Sequence, residues 1–395
     1  MLIIVHNNLV ILYFNIVELK EILGVEYMDR FNGRHFALLI MGVAIVSLKT
    51  YPGIFLRNGS RESWIAIVIA SLLIFFIYMY IINISEKNSR PNICQVYQTA
   101  FGNIIGNIAI CIFIATLILT LIECSSVEAN SMRENMLVET PNWYFLLFFI
   151  IPIIYVIFKD LTAIVMVTSI GIVLIILAGT NLAILTTRYK DYHLLLPVFH
   201  DGNYVGFFIC IIKMLALYGC ASIVLPYIHV IGDSKKGMIR GTLLGLVMVI
   251  QMQIVSVTGL VATFSIERLN ALNYPKLIQT QLVSYSQFIE FGELYVMLQI
   301  LGGWMLKYMI SFYAILLIFT NLHLKQKYIK YSIFIISTIV FIGAYVASKN
   351  LFVLFILLNY YAYICLANFV IMPTVAYIIF HRKNRKTKSS AGAMQ

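Results

Sequence analysis

The sequence predicts an all-α integral membrane protein of about ten spanning helices, and three observations carry that prediction. The chain of 395 residues is 61% hydrophobic and only 11% charged, far from the roughly 45–50% apolar and about 25% charged residues of soluble domains. Its mean hydropathy is +0.91. Apolar runs recur from Ala37 to Phe380 and reach the length of about 20 residues that a hydrocarbon core of about 30 Å demands. Runs this long are helical, because barrel strands alternate over about 10 residues.

Taken in order, the spans are expected at 35–56, 62–83, 104–124, 143–159, 162–186, 203–232, 238–265, 291–320, 331–348 and 351–380. The apolar opening of residues 1–29 is too short and too polar in its middle to span, and it lacks the basic start and small-residue cleavage site of a signal peptide. It reads as an N-terminal extension, either an interfacial helix or a stretch ahead of a true start at Met28. Residues 30–380 form one polytopic membrane domain, and 381–395 a basic tail, solvated and drawn to anionic lipid. Two connections, 125–142 and 266–290, are long, and the second reads as a short helix lying on the bundle surface.

The formal net charge of +11 does not point to nucleic acid, because the basic residues fall in short loops. With 30–34 in the cytoplasm, sixteen Lys and Arg lie on that side and eight on the other, which by the positive-inside bias puts both termini in the cytoplasm. The six cysteines form no C-x-x-C pair and read as small core residues. His193 and His200 share a loop but lack further ligands for a metal. No nucleotide-binding loop, metalloprotease motif or nucleophile elbow is present, so neither an enzyme nor a cofactor is expected.

Two spans are interrupted. The first contains "SLKTYPGIFL", residues 47–56, where lysine, proline and glycine fall within five residues and each is costly in a lipid-facing helix. The sixth repeats the pattern, with Lys213 ahead of Gly219, Cys220, Ala221 and Ser222, and Pro226 after them. Ten spans divided into two repeats of five put these interruptions at corresponding places, which points to a ligand site at unwound backbone. An ordinary kink is the alternative, since Gly and Pro are common in membrane helices.

Three lysines lie within spans: Lys49, Lys213 and Lys307. Glu123 is placed near the end of span three and Asp160 in a turn, so the middle of the membrane is expected to be cationic and without an acid. That argues against sodium coupling and for an anionic ligand group, with snorkelling to an interface as the alternative for Lys307. Gln251, Gln253 and Gln299 are explained by hydrogen bonds between helices.

Several features taken together resemble a known family. They are Pro52 closing the first break, Glu62-Ser63-Trp64 opening span two, "LLPVFHDG" ahead of span six, "LPYI" followed by Lys235-Lys236, and "YPKLIQTQLVSYSQFIEFGEL" with "WMLKY" after it. From about Arg30 to Phe380 the chain resembles the B-subunit membrane proteins of nutrient germinant receptors, members of the amino acid–polyamine–organocation transporter superfamily. The resemblance implies a LeuT-like five-plus-five inverted repeat with helices 1 and 6 broken. It implies a spore inner-membrane subunit that senses a small nutrient, commonly an amino acid, beside an A-type and a C-type subunit, and triggers ion release and germination.

By that analogy the ligand sits between Ser47, Thr50, Tyr51 and Gly53 of span one and Tyr218, Gly219 and Ser222 of span six. Lys49 or Lys213 neutralises its acidic group, and Thr116 or Thr120 of span three contributes. The chain departs from the family where Ile45-Val46-Ser47 replaces a Gly-Ser or Gly-Thr element, and where Phe291 and Met166 stand in place of arginines. A secondary amino acid or amine transporter, proton-linked through Lys213 or Lys49, is the rival reading, and a ligand-free scaffold the third.

Overall fold

The structure, a computed structural model, describes residues 31–135, 137–199, 202–283 and 291–392. The expected extension at 1–29, His200, and the end of the expected surface helix at 284–290 lie outside the described residues. Among those described, nine helices are long and apolar enough to cross a membrane, and Asn142–Ile157 is a shorter tenth. At 1.5 Å per residue its length of 16 residues gives about 24 Å, just under the hydrocarbon thickness.

Span one is built in three pieces, Gly33–Ala44, Val46–Thr50 and Gly53–Gly59. The Asn32 side chain caps the first piece by accepting from the Arg34 and His35 backbone amides. At the bend at Ile45, Gln253 of span seven donates to the carbonyls of Ala44 (3.3 Å) and Ile45 (2.6 Å). The main break follows from Pro52, which lacks an N–H and pushes the preceding residue out of the helical region; Tyr51 accordingly has φ −123° and ψ 56°.

Span six is helical over Tyr204–Tyr218 and then continues as a tighter 3₁₀ helix over Gly219–Val230. Gly219 and Pro226 disfavour an α-helix there. Span ten carries a wide π turn at Leu366–Ile371, between Leu351–Cys365 and Met372–Gly392, which the sequence reading did not foresee.

Burial orders the bundle. Spans one, six and eight are 83%, 78% and 72% buried over their most apolar windows, against 39–50% for the other six helices long enough to cross a membrane. They therefore form the centre, and the rest wrap them. Span one packs on spans seven and eight, span six on spans one and two, and span three on spans eight and nine. Where span one meets span seven (Lys235–Val261), the backbones nearly touch: a Cβ at Gly241 would stand 1.9 Å from the Gly33 carbonyl oxygen, the close approach that small residues permit between membrane helices.

Three boundaries differ from expectation. Span three runs over Asn103–Asn135, well beyond residue 124, so most of the expected connection at 125–142 is helix. A separate short helix, Ile93–Phe101, capped by Asn92, joins spans two and three. The last helix continues to Gly392 into the basic tail, where Lys383 donates to the Thr99 and Ala100 carbonyls of that short helix.

Candidate functional site

The longer span three changes the electrostatics of the centre. Glu123 lies about 30 Å along a helix that begins at Asn103, and its carboxylate meets the Lys307 ammonium at 2.5 Å with both side chains fully buried. The expectation of an acid-free, cationic interior is therefore corrected, and so is snorkelling as the account of Lys307. Polar residues at Ser126, Asn130 and Ser131 continue the buried face of the helix past Glu123; that helical spacing was the signal available in the sequence.

The pair is the hub of a network joining five spans. Ser47 of span one donates to Glu123 Oε1 (2.9 Å) and accepts from Lys307 Nζ (2.6 Å). The Tyr51 hydroxyl also donates to Glu123, and its ring stacks on Trp304 with centroids 6.1 Å apart. Lys307 stands over the Trp304 and Tyr361 rings at 5.4 and 5.6 Å, so its charge is met by ring faces as well as by the carboxylate. Tyr361 in turn shares a 2.9 Å hydrogen bond with Thr120 and approaches Cys220 Sγ at 3.7 Å.

The other expected residues fall into separate groups. Thr50 bonds back to the Val46 carbonyl at 3.0 Å, and Gly53 starts the last piece of span one beside the Leu272 and Asn273 carbonyls. Thr116 accepts from Asn368 Nδ2 at 2.7 Å. Tyr218 is bonded to Ser71 at 2.8 Å, while Ser222 accepts from the Tyr78 hydroxyl at 2.8 Å and donates to the Phe369 carbonyl in the π turn. Gly219 packs against the same turn, where a Cβ would stand 2.5 Å from a Val370 methyl.

The two candidate lysines part company. Lys213 donates to the Ile54 carbonyl (3.0 Å) and to Asn58 Oδ1 (2.8 Å), and lines a cavity of about 630 Å³ with Arg57, Asn273, Phe355 and Asn359. Two of its three N–H donors are used. Lys49 instead lines a separate cavity of about 260 Å³ between spans five and seven. No cluster of three His, Cys, Asp or Glu among the described residues is placed to hold a metal ion.

Comparison with known proteins accords with this geometry. A manganese transporter of Eremococcus coleocola, 16% identical, superposes with a TM-score of 0.57 over 87% of this chain and 78% of its own. That likeness shows the fold, the LeuT-like arrangement with its first and sixth spans broken. No curated protein matches the chain. Residues 33–353 match the family described as "Spore germination protein", and the chain, a multi-pass membrane protein, belongs to that family.

Proposed function

We propose that this protein is the nutrient-sensing membrane subunit of a spore germinant receptor, and that it binds a small nutrient of the amino acid class beside the break in span one. One observation carries the reading: the piece of span one beyond the break and Lys213 of span six open into the same cavity of about 630 Å³. The Lys213 ammonium is fixed by the Ile54 carbonyl and Asn58, and its remaining donor suits a ligand carboxylate. Membership of the spore germination family supports a sensor in the spore inner membrane with A-type and C-type subunits as partners, and the distribution of basic residues supports cytoplasmic termini. Binding would bias spans one and six, which share the Tyr51 and Cys220 ends of the central network, and so trigger ion release.

The test is nutrient-by-nutrient germination of spores lacking this gene and complemented with either the unchanged chain or Lys213→Met. Loss of response to one nutrient class with Lys213→Met, at normal protein level, supports the reading. An unchanged response removes Lys213 from the mechanism.

A second reading, a secondary amino acid or amine transporter, is favoured by the buried Glu123–Lys307 pair, since a coupled acid and base at the centre of a bundle suits proton linkage. Saturable uptake of the active nutrient by the purified protein in liposomes, with normal germination in its absence, would select it.

A further inference from the structure

The cavity of about 260 Å³ between spans five and seven collects three lysines from three distant stretches: Lys49 below the break in span one, Lys190 after the end of span five, and Lys276 in the short helix Pro275–Gln281. Thr180, Gln251, Ser256 and Gln299 line it with them, and among the described residues no carboxylate does. Three like charges in one partly dry enclosure oppose one another unless a counter-charge joins them.

The donors are also unspent. Among the described residues Lys49 Nζ has no hydrogen-bond partner. Gln299 Nε2 and Ser256 Oγ are buried and unpartnered. Lys190 gives one N–H to the Ala183 carbonyl at 3.3 Å, and Lys276 one to Gln279 Oε1 at 2.7 Å, which leaves two on each. Gly259 keeps the space open, because a Cβ there would stand 3.3 Å from Lys190 Cε. Buried, unmatched donors are rare in folded proteins and call for a partner.

We infer that this cavity is a binding site for one oxyanionic group, a carboxylate or a phosphate, held by Lys49, Lys190 and Lys276 and distinct from the cavity at Lys213. The class of ligand follows from a donor set that is entirely cationic or amide and hydroxyl, and the size from a volume that admits a headgroup or a small anion. The mouth lies among Thr180, Gln251 and Val255 on the outer faces of spans five and seven, where Leu177, Ile184 and Val247 are also exposed. That opening allows either an anionic lipid entering sideways or a free anion. Burial together with the charges of Lys49 and Lys190 holds the Lys276 amine down to about 7, and a bound anion relieves that opposition.

The test uses the full chain purified in detergent, near pH 6.5, with thermal unfolding read against inorganic phosphate at constant ionic strength and, separately, against phosphatidylglycerol. A rise in Tm that is weakened roughly tenfold or more in apparent affinity by Lys190→Gln and by Lys276→Gln is the expected result. Response to phosphate identifies a free-anion site, and response to phosphatidylglycerol alone identifies a lipid headgroup. No rise with either probe, or a rise that both variants retain, overturns the proposal. Where Lys276→Gln does not fold, Lys190→Gln, at the partly exposed rim, decides.

Discussion

Lys307 and Glu123, 184 residues apart in the chain, form an ion pair of 2.5 Å with both side chains fully buried. Removing one partner from such a pair leaves an uncompensated charge and costs about 3–5 kcal/mol, whereas removing both is far cheaper. Glu123→Gln and Lys307→Met should each lower the stability of the purified protein strongly, and the double variant should recover most of the loss. A double-mutant cycle on thermal unfolding measures this; losses that simply add would show that the pair is not coupled.

Tyr51 tests the network at its link to the broken span. Tyr51→Phe removes the hydroxyl that donates to the Glu123 carboxylate but keeps the ring on Trp304, for an expected loss of about 1.5–3 kcal/mol. Tyr51→Leu also loses the stack, about 0.5–1.5 kcal/mol more. Denaturation of the two variants side by side separates the contributions.

Two glycines at different crossings, Gly241 where span seven meets span one and Gly302 where span eight meets span five, make a contrasting pair. A Cβ at Gly241 would meet the Gly33 carbonyl oxygen at 1.9 Å, so Gly241→Ala must push two backbones apart. At Gly302 the nearest atom would be a methyl of Ile175 at 3.7 Å, an ordinary contact, and Gly302→Ala should gain up to about 1 kcal/mol from helix propensity. Opposite shifts in Tm are expected; equal shifts would mean that the helices at Gly33 slide apart freely.

Lys276 sets a pH dependence. Its amine, ordinarily near 10.5, is held at about 7 in the folded state by burial and by the Lys49 and Lys190 charges. Between those pH values the unfolded chain binds more protons than the folded one, so stability should rise as pH rises from about 7 toward 10. Lys276→Met should flatten that rise in a plot of Tm against pH.

Proline and glycine made the breaks legible, since Pro52, Gly219 and Pro226 each weaken a regular α-helix through the local backbone alone. The partners of the buried lysines were not legible. Reading span three as ending near residue 124 put Glu123 at a membrane surface, when the helix runs on to Asn135 with Ser126 and Asn130 facing inward. Nor did spacing separate Lys49 from Lys213, because the direction of a side chain within a broken helix depends on how the pieces are turned. Lys190 and Lys276 count in the sequence only as loop charges opposite the cytoplasmic side, yet they close a cavity with Lys49.

By itself the sequence determined the solvent of this protein, its all-helical class, its ten apolar segments and the two places where helices fail, because each of these follows from local composition and backbone sterics. Tertiary structure alone decided that Glu123 meets Lys307, that Lys49 and Lys213 open into different cavities, and that three lysines share one. Those outcomes depend on the rotation and register of helices packed from distant parts of the chain, and burial gives such contacts their energy by removing water from charges that no local pattern pairs.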